Sequence, residues 1–358
     1  MRKSSLYINW SLLAPVVVLV TFSLTTLFSI DLSLFKSQLT YFIIGIFVFL
    51  FFSQTNYSVI KYYFMPIYVI SVVLLCLVLL LGIESRGSVR WLELFGFRVQ
   101  FSEILKPFLA ISLSSYLAAA NSYSLRVLLL SVCFLIPIVF LVFLQPDLGN
   151  ASIYFFVAIL TFIIYGFPKR YFVAAFGIII AISPFLWNFL HDYQKNRIFT
   201  FLNPNDPLGQ SYNAIQSVIA VGSGNLLGRG LGLGTQSGLR FLPERHTDFI
   251  FATLAEELGL VGTTFVILTF VFLLFRIRKI FLTSDDLFVK IFSISAFSLM
   301  FVQLFVNVGM NIGIVPIVGI TLPFVSYGGS SLLSSFILLG ILASMSRDTA
   351  SKTVLEIK

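Results

Sequence analysis

Residues 242–262 read LPERHTDFIFATLAEELGLVG, and the polarity of this stretch changes at Asp248. A run of polar and turn-forming residues ends there, and the apolar run that follows still carries Glu256 and Glu257. An ionisable side chain at bilayer depth costs about 2.5–3.5 kcal/mol on insertion scales, so it marks a functional site by default. The stretch therefore predicts a membrane helix with functional carboxylates at its polar end.

The helical period of this stretch sorts its carboxylates by face. Thr247 is a natural N-cap, which places Asp248 in the first helical turn. The small residues on the same face are Ala252, Ala255 and Gly259. Glu256 lies at the edge of that face and Glu257 points to the opposite side. A stripe of small residues beside a carboxylate faces protein or water rather than lipid, although a role for Asp248 in helix capping alone remains the alternative.

The composition excludes a soluble globular protein. The 358 residues are 58% hydrophobic and 11% charged, with a mean hydropathy of +1.00. Apolar runs long enough to cross a bilayer as helices recur along the chain. We predict an all-α integral membrane protein, a single polytopic domain over residues 1–358. About ten transmembrane helices are expected, near 9–29, 38–54, 59–82, 104–120, 126–144, 150–167, 171–190, 248–275, 287–311 and 328–346.

The positions of Lys and Arg predict the orientation of the chain. Basic residues in short connections accumulate on the cytoplasmic side of a membrane. Those that fall on one side here are Arg2, Lys3, Lys61, Arg126, Lys169, Arg170, Arg276, Arg278, Lys279, Lys290 and Arg347. Both termini are therefore expected in the cytoplasm. One long extracytoplasmic loop, about 191–247, connects spans seven and eight, and the Asp248 end of span eight faces outward. The net charge of +8 needs no nucleic-acid partner.

The first of three further polar clusters runs from Arg98 to Lys106. Glu103 and Lys106 are three residues apart, so on a helix they share a face and can neutralise one another. The simpler interpretation is a helix start, with Ser102 as N-cap and Glu103 in the first turn. Upstream, Trp91 fits a segment at the membrane interface, where Trp is commonly an anchor.

The second cluster is the turn QPDLG at residues 145–149, and the third is the long loop. Asp147 in the turn either belongs to a site or caps the next helix. The loop contains five basic residues: Lys195, Arg197, Arg229, Arg240 and Arg245. Seven glycines between 222 and 238 suit a re-entrant segment whose amides approach a ligand, and 212–222 fits a short amphipathic helix.

Together these clusters predict an outward-facing cavity with carboxylates on its floor and several cations. Cations indicate an anionic ligand. A carboxylate that can accept a proton indicates either general-base chemistry or a proton relay.

The same segments resemble the SEDS family (shape, elongation, division and sporulation), and RodA within it more than FtsW. The resemblance rests on 90–92, 98–106, 145–149, 203–209, 214–217, 230–259 and 323–330, which follow one another in the family's order. The family polymerises lipid II, a disaccharide-pentapeptide on undecaprenyl diphosphate, into glycan strands. The resemblance implies an inverting glycosyltransferase in the bacterial plasma membrane that contributes to elongation and rod shape.

The resemblance also assigns residues. Asp248 matches the family's essential aspartate and is the expected general base. The expected substrate-binding residues are Trp91, Arg98, Glu103, Lys106, Asp147, Arg197, Arg245 and Glu256. Among them, Arg98 and Lys106 would stabilise the diphosphate, while Glu103 and Asp147 would orient them or hold a divalent cation, Mg or Mn. Phe101, where relatives usually carry Pro, and Pro107 depart from the family pattern at the start of the fourth span.

The family works with a class B penicillin-binding protein, a transpeptidase, which is expected along spans eight and nine, over 265–308. The residues alone leave two other classes open. A flippase for lipid-linked precursors or a proton-coupled carrier would also use acids beside cations in a membrane cavity. A purely structural scaffold is disfavoured, because placing so many ionisable groups in a membrane costs free energy. An FtsW-like polymerase for division is the alternative within the family.

Overall fold

The computed structural model describes residues 8–85, 88–94, 96–188, 195, 199, 201, 211–239 and 241–356. Within these residues the chain is mostly helical. The helices of the first half are α1 (Trp10–Ile30), α2 (Leu32–Gln54), α3 (Tyr57–Tyr62), α4 (Phe64–Leu81), α5 (Phe101–Ile104), α6 (Lys106–Ala120), α7 (Leu125–Leu144), α8 (Leu148–Tyr165) and α9 (Lys169–Trp187). Those of the second half are α10 (Tyr212–Ser223), α11 (Thr235–Gly238), α12 (Ile250–Thr283), α13 (Leu287–Asn311) and α14 (Gly329–Glu356).

Eight helices in the described part of the chain are long and apolar enough to cross a membrane. These are α1, α2, α4, α7, α8, α12, α13 and α14. The other two predicted spans also form helices. α6 is only 15 residues long, because the helix that was expected from residue 104 is interrupted at Leu105. α9 begins with two basic residues, Lys169 and Arg170, and contains Pro184.

The prediction of an all-α protein is wrong between residues 83 and 100. This polar stretch forms a three-stranded antiparallel sheet of β1 (Ile83–Ser85), β2 (Ser88–Leu94) and β3 (Phe97–Gln100), in the order β1-β2-β3. Gly96, with φ +81°, forms the turn between β2 and β3, a backbone conformation that glycine adopts without a steric penalty. Trp91 lies opposite Gln100 in the register. The strands lead directly into α5.

The central layer of the protein is α13 and α14, which are the most buried of the eight long apolar helices. They pack with α1, α2 and α12 around one large apolar cluster that includes Phe49, Phe270, Phe292 and Phe336. Few residues of α4 and α7 are buried. An exposed face of Leu, Val and Phe on such a helix is a surface that contacts lipid.

Polar contacts between helices define two ends of the bundle. At one end, which we call the basic end, the contacts are Arg276 to Ser11 (2.6 Å), Asn9 to Ser346 (2.7 Å) and Lys61 to Asp286 (3.4 Å). At the other, which we call the site end, they are Ser29 to Glu257 (2.8 Å), Gln38 to the carbonyl of Ser326 (3.1 Å) and Gln100 to Asp147 (2.8 Å). The sheet lies at the site end because its last strand supplies Gln100. The described residues of the polar clusters that the sequence singled out therefore collect at one end.

α12 is interrupted at Gly259, a break that the hydropathy pattern did not predict. Gly259 has φ +67° and ψ −166°, which are not helical values. The loop before α12 satisfies the backbone groups that the break releases. The hydrogen bonds are Arg229 N to Glu256 O (2.9 Å), Gly230 N to Glu257 O (3.0 Å), Leu260 N to Asn225 O (2.9 Å) and Val261 N to Leu226 O (3.1 Å). Because lipid offers no partner for a free backbone group, the glycine-rich loop is an integral part of this span.

Candidate active site

Asp248 lies just before α12, not in its first turn. The helix starts at Ile250, and Phe249 occupies the N-cap position without a side-chain hydrogen bond. The prediction that Thr247 caps the helix is wrong, since its hydroxyl donates to Glu244 instead, at 3.3 Å to the carbonyl and 3.2 Å to the carboxylate. The Asp248 side chain is half-buried. It therefore lies in the connection that leads into the helix.

Two buried asparagines of α13 fix the main chain at Asp248. The side-chain amides of Asn307 and Asn311 both donate to its carbonyl oxygen, at 3.1 and 3.0 Å, and both residues are fully buried. Asn307 also donates to the carbonyl of Ile320 at 2.7 Å. This pair was not predicted from the sequence, although two asparagines four residues apart in an apolar span share one helical face. These hydrogen bonds hold Asp248 through its main-chain carbonyl oxygen.

The segment after α13 forms a second wall beside Asp248. A Cβ placed on Gly319, which has φ +72°, would lie 3.3 Å from Oδ2 of Asp248. Further along, the Ser326 hydroxyl donates to the carbonyl of Thr247 at 2.7 Å, and the Tyr327 amide donates to the carbonyl of His246 at 2.9 Å. The PFVSYGGS motif at 323–330 therefore braces the backbone on which Asp248 is carried.

Asp147 is buried and accepts several hydrogen bonds. Its carboxylate accepts from the Asn150 amide, so it caps α8 as the simpler interpretation predicted. It also accepts from the side chains of Gln100 (2.8 Å), Ser102 (3.1 Å) and Asn150 (2.9 Å). Arg90 forms an ion pair with it at 3.8 Å and donates to the carbonyl of Pro146. Asp147 thus joins the sheet, α5 and α8.

Backbone contacts bring this QPDLG turn close to Asp248. A Cβ on Gly149 would lie 2.6 Å from the carbonyl oxygen of Val318 and 3.0 Å from that of Gly319, so only glycine fits there. Gly319 is the residue whose backbone passes the Asp248 carboxylate. The backbone amide of Gln100 also donates to the hydroxyl of Ser330, at the start of α14. The QPDLG turn, strand β3 and the segment after α13 therefore lie close together.

Glu103 and Lys106 form a buried ion pair, as their spacing predicted. Lys106 Nζ lies 2.7 Å from Glu103 Oε2, and Lys106 and Glu103 are 3% and 6% exposed. Ser102 is not an N-cap, because the chain is already helical at Phe101 and the Ser102 hydroxyl binds Asp147. Lys106 lines a small apolar cavity of about 30 Å³ between α6, α7, α8 and α13. A pair this well shielded from water is strongly coupled.

The structure separates Arg98 from that pair. Arg98 is exposed on β3, where it lies opposite Glu93 of β2. Trp91 is half-buried on β2. The hairpin of β2 and β3 therefore presents the Arg98 cation at the surface of the site end. The Lys106 cation is enclosed. Arg245 is half-buried, three residues before Asp248, and Arg197 lies outside the described residues.

Glu256 and Glu257 both hold the glycine-rich loop. Glu256 is fully buried and accepts from the amides of Gln236 and Ser237, each at 2.8 Å. Glu257 accepts from the Ser29 hydroxyl at 2.8 Å and from the Gly232 amide at 3.0 Å. The sequence places the two side chains on different faces of the helix. In the structure both accept hydrogen bonds from amides of the same glycine-rich loop. The predicted helix at 212–222 is also confirmed, as α10.

The site carboxylates do not form a preformed metal site. Among the residues that the structure describes, no three His, Cys, Asp or Glu side chains gather to hold a metal ion. Asp147 is occupied by hydrogen-bond donors, and Glu103 by Lys106. Neither Asp147 nor Glu103 is therefore available to hold Mg or Mn.

Comparisons with known proteins agree on one family. Residues 3–351 match the cell cycle protein family of FtsW, RodA and SpoVE. The peptidoglycan glycosyltransferase MrdB of Escherichia coli K12 is 40% identical over 293 residues, which are 80% of this chain and 79% of that protein. The stage V sporulation protein E of Bacillus subtilis is 36% identical over 319 residues, covering 87% of this chain and 86% of that one.

Two solved structures share the fold over almost the whole chain. One belongs to a study of how a peptidoglycan synthase complex coordinates polymerization and crosslinking. It has a TM-score of 0.84 and 30% identity over 96% of this chain and 99% of that one. The other is the rod shape determining protein RodA of Thermus thermophilus, in a form with one aspartate replaced by alanine, with a TM-score of 0.73 and 25% identity over 96% and 99%.

Proposed function

Because the chain belongs to the SEDS family of FtsW, RodA and SpoVE and is a RodA-like peptidoglycan glycosyltransferase, we propose that it polymerises lipid II with Asp248 as the general base. The base takes the proton from a sugar hydroxyl of the acceptor. That oxygen attacks the anomeric carbon of the donor, and the bond from this carbon to the lipid diphosphate breaks. The configuration inverts to give a β-1,4 linkage, so the hydroxyl must approach opposite the departing diphosphate.

The observation that carries the assignment is the accessibility of Asp248. Glu103, Asp147, Glu256 and Glu257 are each at most 6% exposed. Asp248 is half-buried, and Asn307 and Asn311 fix its main chain. A general base must reach the proton that it removes and must be held in place, and among these five carboxylates Asp248 combines both properties.

The cations divide into two groups in this proposal. Arg98 on the exposed hairpin and Arg245 beside Asp248 are placed to meet the negative charge of the diphosphate as it leaves. Lys106 is enclosed with Glu103, so we assign that pair a supporting role beneath the site. Asp147 orients the hairpin through Gln100 and Arg90. We propose that Trp91 lies against the substrate at the membrane interface. Arg197 is proposed to bind the substrate, as the family resemblance implies.

Glu256 has a different proposed role from the one that the family resemblance suggested. Its carboxylate is fully buried and occupied by loop amides, so we propose that it shapes the wall of the site rather than binding the substrate. The loop in turn closes the break in α12 at Gly259.

Replacing Asn307 tests whether the position of Asp248 matters for turnover. Asn307→Leu removes one of the two donors to the Asp248 carbonyl while keeping a similar volume. We expect kcat to fall about tenfold or more with little change in KM, because a base displaced by a fraction of an ångström loses its alignment. The measurement is the initial rate of polymer formation against lipid II concentration.

The control for this variant is Gln303→Leu, one turn earlier on α13, which also replaces a buried side-chain amide by an apolar group. It leaves both hydrogen bonds to the Asp248 carbonyl in place, so kcat should change little. Equal losses in both variants, or a change in KM alone, would contradict the positioning role.

We propose that the site end faces away from the cytoplasm and that both termini lie inside. The basic end carries most of the Lys and Arg of the short connections, which supports this orientation. A chain with Cys76 and Cys133 replaced by Ser provides the test. A membrane-impermeant maleimide added to intact cells should label Leu239→Cys, at the site end, and not Tyr123→Cys, in the connection between α6 and α7. Both positions are exposed, at 67% and 51%. Labelling of the second and not the first would reverse the proposed topology.

The proposed partner is a class B penicillin-binding protein, whose single span packs along α12 and α13. A ladder of stacked aromatic rings on α13 supports this site. The rings of Phe297, Phe301 and Phe305 stack in sequence, with centroids 6.0 and 6.1 Å apart. Phe301 and Phe305 are 40% and 55% exposed. Large side chains that stand out from a span can interlock with a neighbouring helix. Ser293, also on α13, is fully buried, so a bulky probe placed there would disrupt the core rather than test this surface.

The double variant Phe301→Ala/Phe305→Ala tests this surface. We expect co-purification of the transpeptidase to fall about tenfold, which corresponds to about 1.4 kcal/mol of lost packing. The matched control is Phe176→Ala/Phe185→Ala on α9, where both rings are also exposed, at 65% and 64%. If the control reduces capture as strongly as the α13 variant, the partner binds elsewhere.

A further inference from the structure

A second cavity lies toward the basic end of the bundle, on the far side from the carboxylates. It has a volume of about 140 Å³ and opens between α8, α12 and α13. Its lining residues are Ile164, Arg278, Phe281, Ser293, Ile294 and Phe297. It is apart from the residues proposed for catalysis, and glycan chemistry at the other end of the protein makes no use of it.

The cavity contains a polar group without a partner. Ser293 is fully buried, and its hydroxyl has no hydrogen-bond partner among the described residues. A buried hydroxyl left unsatisfied costs about 1–3 kcal/mol. The Ser293 hydroxyl therefore indicates that an oxygen of a ligand completes this wall.

Arg278 gives the cavity its charge. It is exposed, and so is its neighbour Lys279. Apart from Ser293, the rest of the lining consists of Phe and Ile side chains. A guanidinium beside an apolar slot within a membrane fits an amphiphile with an anionic head and an apolar tail.

The charge of the cavity separates two occupants, a lipid and a protein helix. Arg278 places a cation in the lining. A lipid phosphate pairs with that cation, whereas the apolar span of a membrane protein carries no charge to pair with it. The helix of a partner can lie beside the cavity, over the ladder from Phe297 to Phe305.

We propose that this cavity binds an anionic phospholipid. The lipid phosphate binds Arg278, an oxygen of the glycerol ester region accepts the hydrogen bond of Ser293, and one acyl chain passes between Phe281 and Phe297. Anionic headgroups are attracted to basic residues next to a span in any case, and the cavity adds a defined position for one lipid.

Retention of lipid by the purified full chain tests the proposal. The protein in detergent is incubated with phosphatidylglycerol or with phosphatidylcholine, and bound lipid is counted by native mass spectrometry. We expect one phosphatidylglycerol to be retained in preference to phosphatidylcholine. Arg278→Gln should weaken that retention about tenfold, as the loss of a charge-assisted hydrogen bond to phosphate predicts. Lys279→Gln removes an exposed charge one residue away and should leave it nearly unchanged.

Ser293→Ala separates a ligand contact from a structural role. Without lipid, this change removes a hydroxyl that has no partner among the described residues, so the thermal midpoint of the delipidated protein should not fall. With phosphatidylglycerol present, retention should decrease. Equal retention by the Arg278 and Lys279 variants, or equal binding of both lipids, would overturn the proposal. A loss of transpeptidase capture in Arg278→Gln with unchanged lipid retention would assign the cavity to the partner instead.

Discussion

Asp248→Asn is expected to abolish glycan polymerisation while the protein still folds and binds lipid II. The amide has the shape of the carboxylate but cannot accept the proton of the attacking hydroxyl. A positioned general base contributes about 10²–10⁴-fold to the rate. The substituted side chain leaves the hydrogen bonds from Asn307 and Asn311 intact, because these go to the main-chain carbonyl. The loss should therefore appear in kcat and not in the folded fraction.

The measurement is polymer formation from lipid II by purified protein, together with a separate assay of lipid II binding. Asp286→Asn is the control, since this carboxylate caps α13 and pairs with Lys61 at the basic end. Near-normal polymer from Asp248→Asn would remove Asp248 from the role of base. Loss of lipid II binding would instead make it a binding residue.

Lys106→Ala is expected to have the largest effect on stability. It leaves the carboxylate of Glu103 buried without its ion pair, and removal of one partner from a buried pair costs about 3–5 kcal/mol. The thermal midpoint in detergent should fall clearly. Lys106→Arg should fall less, because it retains the charge. Glu103→Gln/Lys106→Ala should recover much of the loss, because no charge is then left unpaired.

The same double variant separates folding from chemistry. If it folds and does not polymerise lipid II, the charge pair is needed for the reaction. If it folds and polymerises at the rate of the unchanged protein, the pair only supports the start of α6. A Lys106→Ala protein as stable as the parent would show that the ion pair contributes little to the fold.

The sequence predicted the helices well because membrane helices are determined locally. Apolar runs such as 125–144 must satisfy their own backbone in lipid, so hydropathy alone is sufficient to find them. The pairing of Glu103 with Lys106 was also predictable from their spacing of three residues. The cap of α8 by Asp147 followed from local turn chemistry.

Features that depend on distant parts of the chain could not be predicted in this way. Ser102 has the chemistry of a helix cap, but its contact with Asp147 determines where its hydroxyl points. Thr247 is an exception, because its hydroxyl donates to the nearby Glu244 and the misprediction there is local. The break at Gly259 is stable only because a loop that precedes it by some thirty residues supplies the missing backbone partners. Asn307 and Asn311 could have been noticed as a polar pair, but their target at Asp248 is a tertiary contact.

An assay in detergent micelles, which have no two sides, distinguishes a polymerase from a flippase. Purified chain is mixed with lipid II and a transpeptidase whose crosslinking activity is blocked, and the products are separated on a gel. Transport across a membrane has no meaning in a micelle, so only a polymerase can change the substrate. The account predicts long glycan strands from the unchanged chain and none from Asp248→Asn. Lipid II left unpolymerised by the unchanged chain in the presence of its partner would contradict it and would favour a flippase.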